Sequence, residues 1–380
     1  MRRRKFVGFV IAAAASVLAG QAWTSAAVAQ PDAGPGALPA GVTASMSPPL
    51  TAPVRAAMSG TGGDTRQEAL AGYWTADRMR TAIAADRQPG LRSAEQRFQQ
   101  AQQQRRADAA AGTATAEQPL GPPARVGPKA PQESAGAAAG AGGAATASPA
   151  AWTPGYAASH PVARTYGKVF FRNTTNGLNY VCSATVVNSE GRDTVWTAGH
   201  CVHGGSGGNW HANWAFVPAY HYGAAPYGVW SAAQLWTRTA WSSSSNFTED
   251  MGVAILGTLG GWHIVDRVGG QGIAWNYSKT YYAYDFGYPA AWPYDGGRLI
   301  ACAGNTAPEW VWGPWSADTI KLGCDMTGGS SGGGWLRWFD GNWGYINGLN
   351  SYKYNNDPNT IYSPYFDGAA GSLYNAVRYL

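Results

Sequence analysis

The chain has 380 residues, with 27 Lys+Arg against 22 Asp+Glu, 45% hydrophobic residues, 51 glycines and four cysteines. The positive balance is confined to residues 1–150, where 15 basic side chains face 9 acidic ones; residues 151–380 carry 12 and 13. A near-neutral second half excludes the broad basic surface that nucleic-acid binding requires.

Chain order begins with MRRRK, a charged opening, followed by the apolar run FVGFVIAAAASVLAG and the small residues Ala27 and Ala29. That order predicts a secretory signal over 1–29, cleaved after Ala29. The run is shorter than the ~20 residues a bilayer span needs, and no later segment is long and apolar enough, so no membrane association is expected after cleavage. The expected destination is extracellular.

Residues 30–150 are dominated by Ala, Gly, Pro and Gln and contain neither cysteine nor histidine. The stretch 121–149 has too little apolar surface to offset its ordering entropy and reads as a flexible linker. The stretch RQEALAGYWTADRMRTAIAADR places Leu70, Trp74 and Ile83 at roughly helical spacing, which predicts one or two short helices. Between a signal and a core, such a segment, partly helical and largely disordered, reads as a propeptide. The mature chain is then expected to start near 150–165.

Residues 151–380 hold all four cysteines, all six histidines and 16 of the 18 tryptophans. Short β-rich runs such as KVFFRN, YVCSATVV, WAFVPAY and MGVAIL alternate with Gly, Pro, Asn and Asp. This predicts an all-β sandwich or barrel, with no long helical period until the closing AGSLYNAVRYL. In an exported chain Cys182, Cys201, Cys302 and Cys324 imply disulfides, with three connectivities open and sequence neighbours the simplest pairing. No Cys-x-x-Cys pair supports zinc as the alternative.

Three segments carry candidate chemistry. In DTVWTAGHCVHGG a strand-like run ends at His200, well placed for a general base, with His203 three residues on. In FTEDMGVAILG, Asp250 opens an apolar run where a carboxylate needs a partner such as an imidazole N–H; Glu249 competes for that role. In CDMTGGSSGGGW, Ser331 is the central serine of Gly-x-Ser-Gly-Gly, a better fit than Ser330, with glycines that allow a sharp turn and inward N–H groups.

With TAGHC (197–201), EDMGVAIL (249–256) and TGGSSGG (327–333) in the order His, Asp, Ser, residues 160–378 resemble the chymotrypsin-like serine peptidases. The likeness points to secreted bacterial members, including the branch of glutamyl endopeptidases. It implies a double β-barrel with the site between barrels, and a disulfide from Cys182 to Cys201. His200 is then the base, Asp250 its orienting partner and Ser331 the nucleophile, with Gly329 and Ser331 N–H groups as the oxyanion hole. The implied partners are protein or peptide substrates, with the chain's own propeptide a further candidate; the implied enzyme is a monomer and needs neither cofactor nor metal.

Some positions depart from the family pattern. Ser330 stands where animal relatives have an aspartate, Gly334 where proline is common, and no Ile-Val-Gly-Gly-like start occurs near residue 155. Activation by insertion of a new N-terminus is therefore not expected. Candidate pocket residues are Asp325, Asn350 and Ser351. Asp325 would favour basic substrates unless it serves structure beside Cys324, whereas Asn350 replaces the histidine of glutamyl endopeptidases. Basic, acidic and broad preferences stay open. The alternative to a peptidase is a silent binding module on the same fold, working through an aromatic surface; a serine esterase requires a different order, Ser, Asp, His.

Overall fold

The computed structural model describes residues 38–59, 65–113, 120–132 and 148–380. The expected signal, its cleavage point, and residues 133–147 of the expected linker lie outside the described residues. Residues 38–380 form one unit.

Six strands close the first barrel, in the order Trp230–Arg238, Gly252–Leu256, Thr194–Thr197, Asn179–Val186, Tyr166–Arg172, Ala212–Pro218 and back to Trp230–Arg238. Every strand pair in this ring is antiparallel. β-Branched and aromatic side chains dominate the ring, and Val169, Val181, Val195, Trp196, Phe216 and Val253 are fully buried. Gly252–Leu256 is buried along its whole length. That is why its sequence shows no polar/apolar alternation.

Five strands of the second half and two from upstream build a seven-stranded sheet, in the order Ala124–Val126, Gly272–Trp275, Tyr345–Leu349, Gly334–Arg337, Tyr282–Gly287, Ile300–Asn305 and Ser148–Trp152. A three-stranded sheet, containing Thr319–Gly323 and Thr360–Pro364, accompanies it. Ile300, Ile320, Leu322, Trp335 and Ile361 share their core. The closing helix, Gly368–Val377, starts at Asp367, whose carboxylate accepts from Ala369 N at 2.8 Å. It buries Ala370, Leu373, Tyr374 and Val377, the i, i+3, i+4, i+7 face. The architecture is the chymotrypsin-like fold with its C-terminal helix.

The upstream segment is more structured than its composition suggests. Val42–Ser45 pairs with Trp230–Arg238 and extends the barrel sheet. Helices α1 (Ala52–Met58), α2 (Arg66–Tyr73) and α3 (Ala76–Thr81) follow. Thr65 and Thr75 cap α2 and α3 and so split the helical run. Leu70 and Trp74 are buried, and Trp74 Nε1 donates to Asn213 O at 2.7 Å. Ile83 lies outside the helices: Ile83–Ala84 pairs in parallel with Tyr180–Val181 at a free strand edge. Helix α4 (Leu91–Ala110) then buries Leu91, Ala94, Gln102 and Ala109 along one stripe. Ala124–Val126, within the expected linker, and Ser148–Trp152, across its end, form the two outer strands of the seven-stranded sheet.

Candidate active site

His200 lies in a short helical turn, Gly199–Cys201, directly after the strand Thr194–Thr197. Its main-chain N donates to Asp250 Oδ1 and its Nδ1 meets Asp250 Oδ2, both at 2.8 Å. A carboxylate acceptor at this distance is matched by an N–H on Nδ1, and in the neutral imidazole that tautomer makes Nε2 the acceptor. Nε2 is buried and has no hydrogen-bond partner among the described residues. Gly199 is required here, because a Cβ would lie 2.9 Å from Asp250 Oδ1 and 2.7 Å from the Trp241 ring. Ser351 Oγ donates to Asp250 Oδ2 at 2.6 Å, so the fully buried carboxylate receives three hydrogen bonds.

The competing residues point elsewhere. Glu249 pairs with Arg238 Nε at 2.6 Å. His203 Nδ1 accepts from Gly205 N, and its ring packs edge-on against Trp210. Ser330 Oγ donates to Thr327 O at 2.9 Å, whereas the Ser331 hydroxyl makes no hydrogen bond to a described residue. His200 and Ser331 line the same cavity of about 180 Å³.

The serine loop is set for main-chain donors. Gly328 O accepts from Ala290 N at 2.7 Å. In a planar trans peptide the Gly329 N–H points opposite that carbonyl, away from Ala290. Gly329 adopts φ +96° and Gly332 φ +84°, values that favour glycine. The loop is pinned from the strand Asn179–Val186: Ser183 Oγ donates to Gly329 O at 2.9 Å, and Ser183 N to Ser331 O at 2.7 Å. Sequence reasoning missed Ser183, since an ordinary serine in a strand carries no signal. It also missed His211, stacked on Phe171, whose Nε2 reaches His200 O at 3.1 Å. Burial lowers the His211 pKa to about 3, so this ring is neutral.

Of the three pocket candidates, Asn350 and Ser351 line the cavity. Asn350 is held on both sides, with Nδ2 donating to Asp285 Oδ1 at 2.9 Å and Oδ1 accepting from Trp335 Nε1 at 2.7 Å. Burial pushes the Asp285 pKa well above the usual carboxylate range. Asp325 Oδ1 accepts from Ala151 N and Tyr294 OH, both at 2.8 Å. Lys353, which the sequence did not single out, also lines the cavity, and its Nζ donates to Cys324 O and Met326 O at 3.0 and 2.9 Å. Its pKa is lowered to about 8, chiefly by burial.

Cys182 bonds Cys201 and Cys302 bonds Cys324, the neighbour pairing expected. Cys182, His200 and Cys201 cluster within metal-ligand distance, as do Asp285, Cys302 and Cys324. Oxidised sulfurs supply no thiolate, so these groups do not fit zinc. No helix among the described residues is long and apolar enough to cross a membrane.

No family profile matches the chain, and no curated protein matches it by sequence. Solved structures do. The protease Anisep from Arthrobacter nicotinovorans is 40% identical, with 57% of this chain and 95% of that one covered and a TM-score of 0.53. The thermostable serine protease AL20 from an extremophilic microorganism is 38% identical, with 57% and 98% covered and a TM-score of 0.53. At that identity over nearly the whole of both relatives, and with this fold, the chain belongs to the chymotrypsin-like serine proteases, a family of peptide-bond hydrolases.

Proposed function

We propose that the chain is a secreted serine endopeptidase working through His200, Asp250 and Ser331. The observation that carries this reading is the double grip of Asp250 on His200, which leaves the buried Nε2 without a partner in a ring that lines the same cavity as Ser331. Nε2 takes the Ser331 proton as Oγ attacks the peptide carbonyl carbon. The resulting oxyanion is met by the N–H groups of Gly329 and Ser331. His200 then returns the proton to the leaving amine, and water repeats the cycle on the acyl-enzyme.

Residues 30–150 are the precursor part in this reading, and 151–380 the peptidase domain. Export fits a chain with two disulfides and a signal-like start. The test is a fluorophosphonate probe applied to the secreted protein and to Ser331→Ala, followed by intact mass. One adduct on the processed wild type and none on the variant is the expected result. No adduct on folded chain freed of its precursor segment would overturn the reading.

A further inference from the structure

The segment 83–99 crosses the cleft from one wall to the other. Ile83–Ala84 pairs with Tyr180–Val181, beside Cys182. Asp86 then packs so closely on Gly328 that a Cβ there would overlap its carboxylate. Gln88 Nε2 donates to His200 O at 2.9 Å, and Gln88 Oε1 accepts from Asn173 Nδ2 at 3.0 Å. From Leu91 onward α4 lies over the pocket. Glu95 Oε1 accepts from Lys353 N at 3.3 Å, and Gln99 Nε2 donates to Lys353 O at 3.1 Å. Phe98 packs against Phe247 and Tyr352, with ring centroids 5.4 Å apart in each case.

The direction of this crossing is the informative feature. In acyl transfer the N-terminal half of a substrate stays on the serine, with its side chain in the pocket walled by Met326, Asn350 and Lys353. The C-terminal half leaves on the side of His200, which protonates it, and Cys201 ties that side to Cys182. A cleavable chain therefore runs from Lys353 toward Tyr180–Val181. The segment 83–99 runs from Tyr180–Val181 toward Lys353.

Its form is also wrong for cleavage. Lys353 offers a main-chain N–H and C=O at the pocket edge, the groups an extended peptide would pair with. Here two side chains one helical turn apart, Glu95 and Gln99, satisfy both. The α4 main chain stays in its own helical hydrogen bonds, so from Leu91 onward no extended peptide is offered to Ser331.

We infer that residues 83–99 are a built-in inhibitor that fills the cleft in reverse and resists cleavage, and that stays bound after the chain is cut downstream of α4. The inference rests on the peptidase reading of the site. Its test uses the full chain with a recognition sequence for an unrelated sequence-specific protease inserted at 114–119.

After that cut, fragment and enzyme should co-elute, and fluorophosphonate labelling should stay slow. Glu95→Lys with Phe98→Asp should speed labelling about tenfold or more, the equivalent of about 1.4 kcal/mol of lost docking. The milder Gln99→Ala, chosen to preserve folding, should move the rate in the same direction. Mass spectrometry should find 83–99 uncut after prolonged incubation. Equal labelling rates in parent and both variants, or Ser331-dependent cuts within 83–99, would overturn the inference. Absence of labelling even after the fragment has been digested away would instead overturn the peptidase reading.

Discussion

Ser351 Oγ hydrogen-bonds Asp250 Oδ2 at 2.6 Å, which joins the segment after the strand Tyr345–Leu349 to the carboxylate that holds His200. The contact gives Ser351 a second task besides lining the cavity. A hydrogen bond to a buried charge contributes roughly 1.5–3 kcal/mol. Ser351→Ala in the processed enzyme is therefore expected to lower kcat about tenfold or more with KM little changed, and Ser351→Thr to recover much of it. Steady-state kinetics on one peptide substrate decide the matter. A change confined to KM would return Ser351 to the pocket wall alone.

Asp250 and Glu249 are adjacent, yet only Asp250 meets the imidazole. Asp250→Asn would place an amide against Nδ1 and favour the tautomer with its proton on Nε2, where it cannot accept. The same replacement of the triad aspartate in a chymotrypsin-family enzyme costs about 10⁴ in kcat, and a loss of about that order is expected here. Glu249→Gln keeps an acceptor for Arg238 and should leave kcat within about twofold, since a partly exposed pair contributes about 1 kcal/mol or less. Comparable losses in both variants would mean that Asp250 has no special role.

Docking of the upstream helix should depend on pH through Glu95. Burial raises its pKa from 4.5 to about 7; the Lys353 N–H, His200 and Arg92 oppose that rise and Asp86 adds to it. The docked state thus holds its proton more tightly than the detached one. Docking is strongest below about 4.5, weakens as pH rises toward about 7, and is flat above. Labelling of the unprocessed chain, divided by that of enzyme lacking the segment, should rise across this window. Glu95→Gln should abolish the slope, and a slope that survives it would assign the effect to another group.

Much of the site could be read from the sequence because its parts are local. TAGHC puts a histidine, the proposed base, at the end of a strand, and the glycines around Ser331 mark a turn that only they can make. What stayed hidden depends on pairings distant in sequence. Ser183 and Lys353 bond main-chain groups 146 and 29 residues away and His211 one 11 residues back, and no spacing rule marks them. Helix α4 was missed for a different reason: its buried stripe of Leu91, Ala94, Gln102 and Ala109 is short of large apolar residues, so its period is faint. Asp325 shows the converse, a residue with a suggestive spacing whose Oδ1 accepts hydrogen bonds from Ala151 and Tyr294.

The two disulfides should separate stability from catalysis. Their sequence separations are 19 and 22, and loop closure assigns roughly 3 kcal/mol to each. The paired changes Cys182→Ala/Cys201→Ala and Cys302→Ala/Cys324→Ala should therefore lower urea stability by similar amounts. Their positions differ in what they hold. Cys182–Cys201 joins the His200 turn to the strand whose Ser183 pins Gly329 and Ser331, so its loss should loosen the proposed base and oxyanion donors together and lower kcat. Cys302–Cys324 lies behind the pocket, where Cys324 O accepts from Lys353 Nζ, so its loss should raise KM and leave kcat within about threefold, under about 1 kcal/mol. Folded double variants compared at a temperature well below both melting transitions would show this split. If kcat fell equally in both, the first bridge would have no particular hold on the catalytic turn.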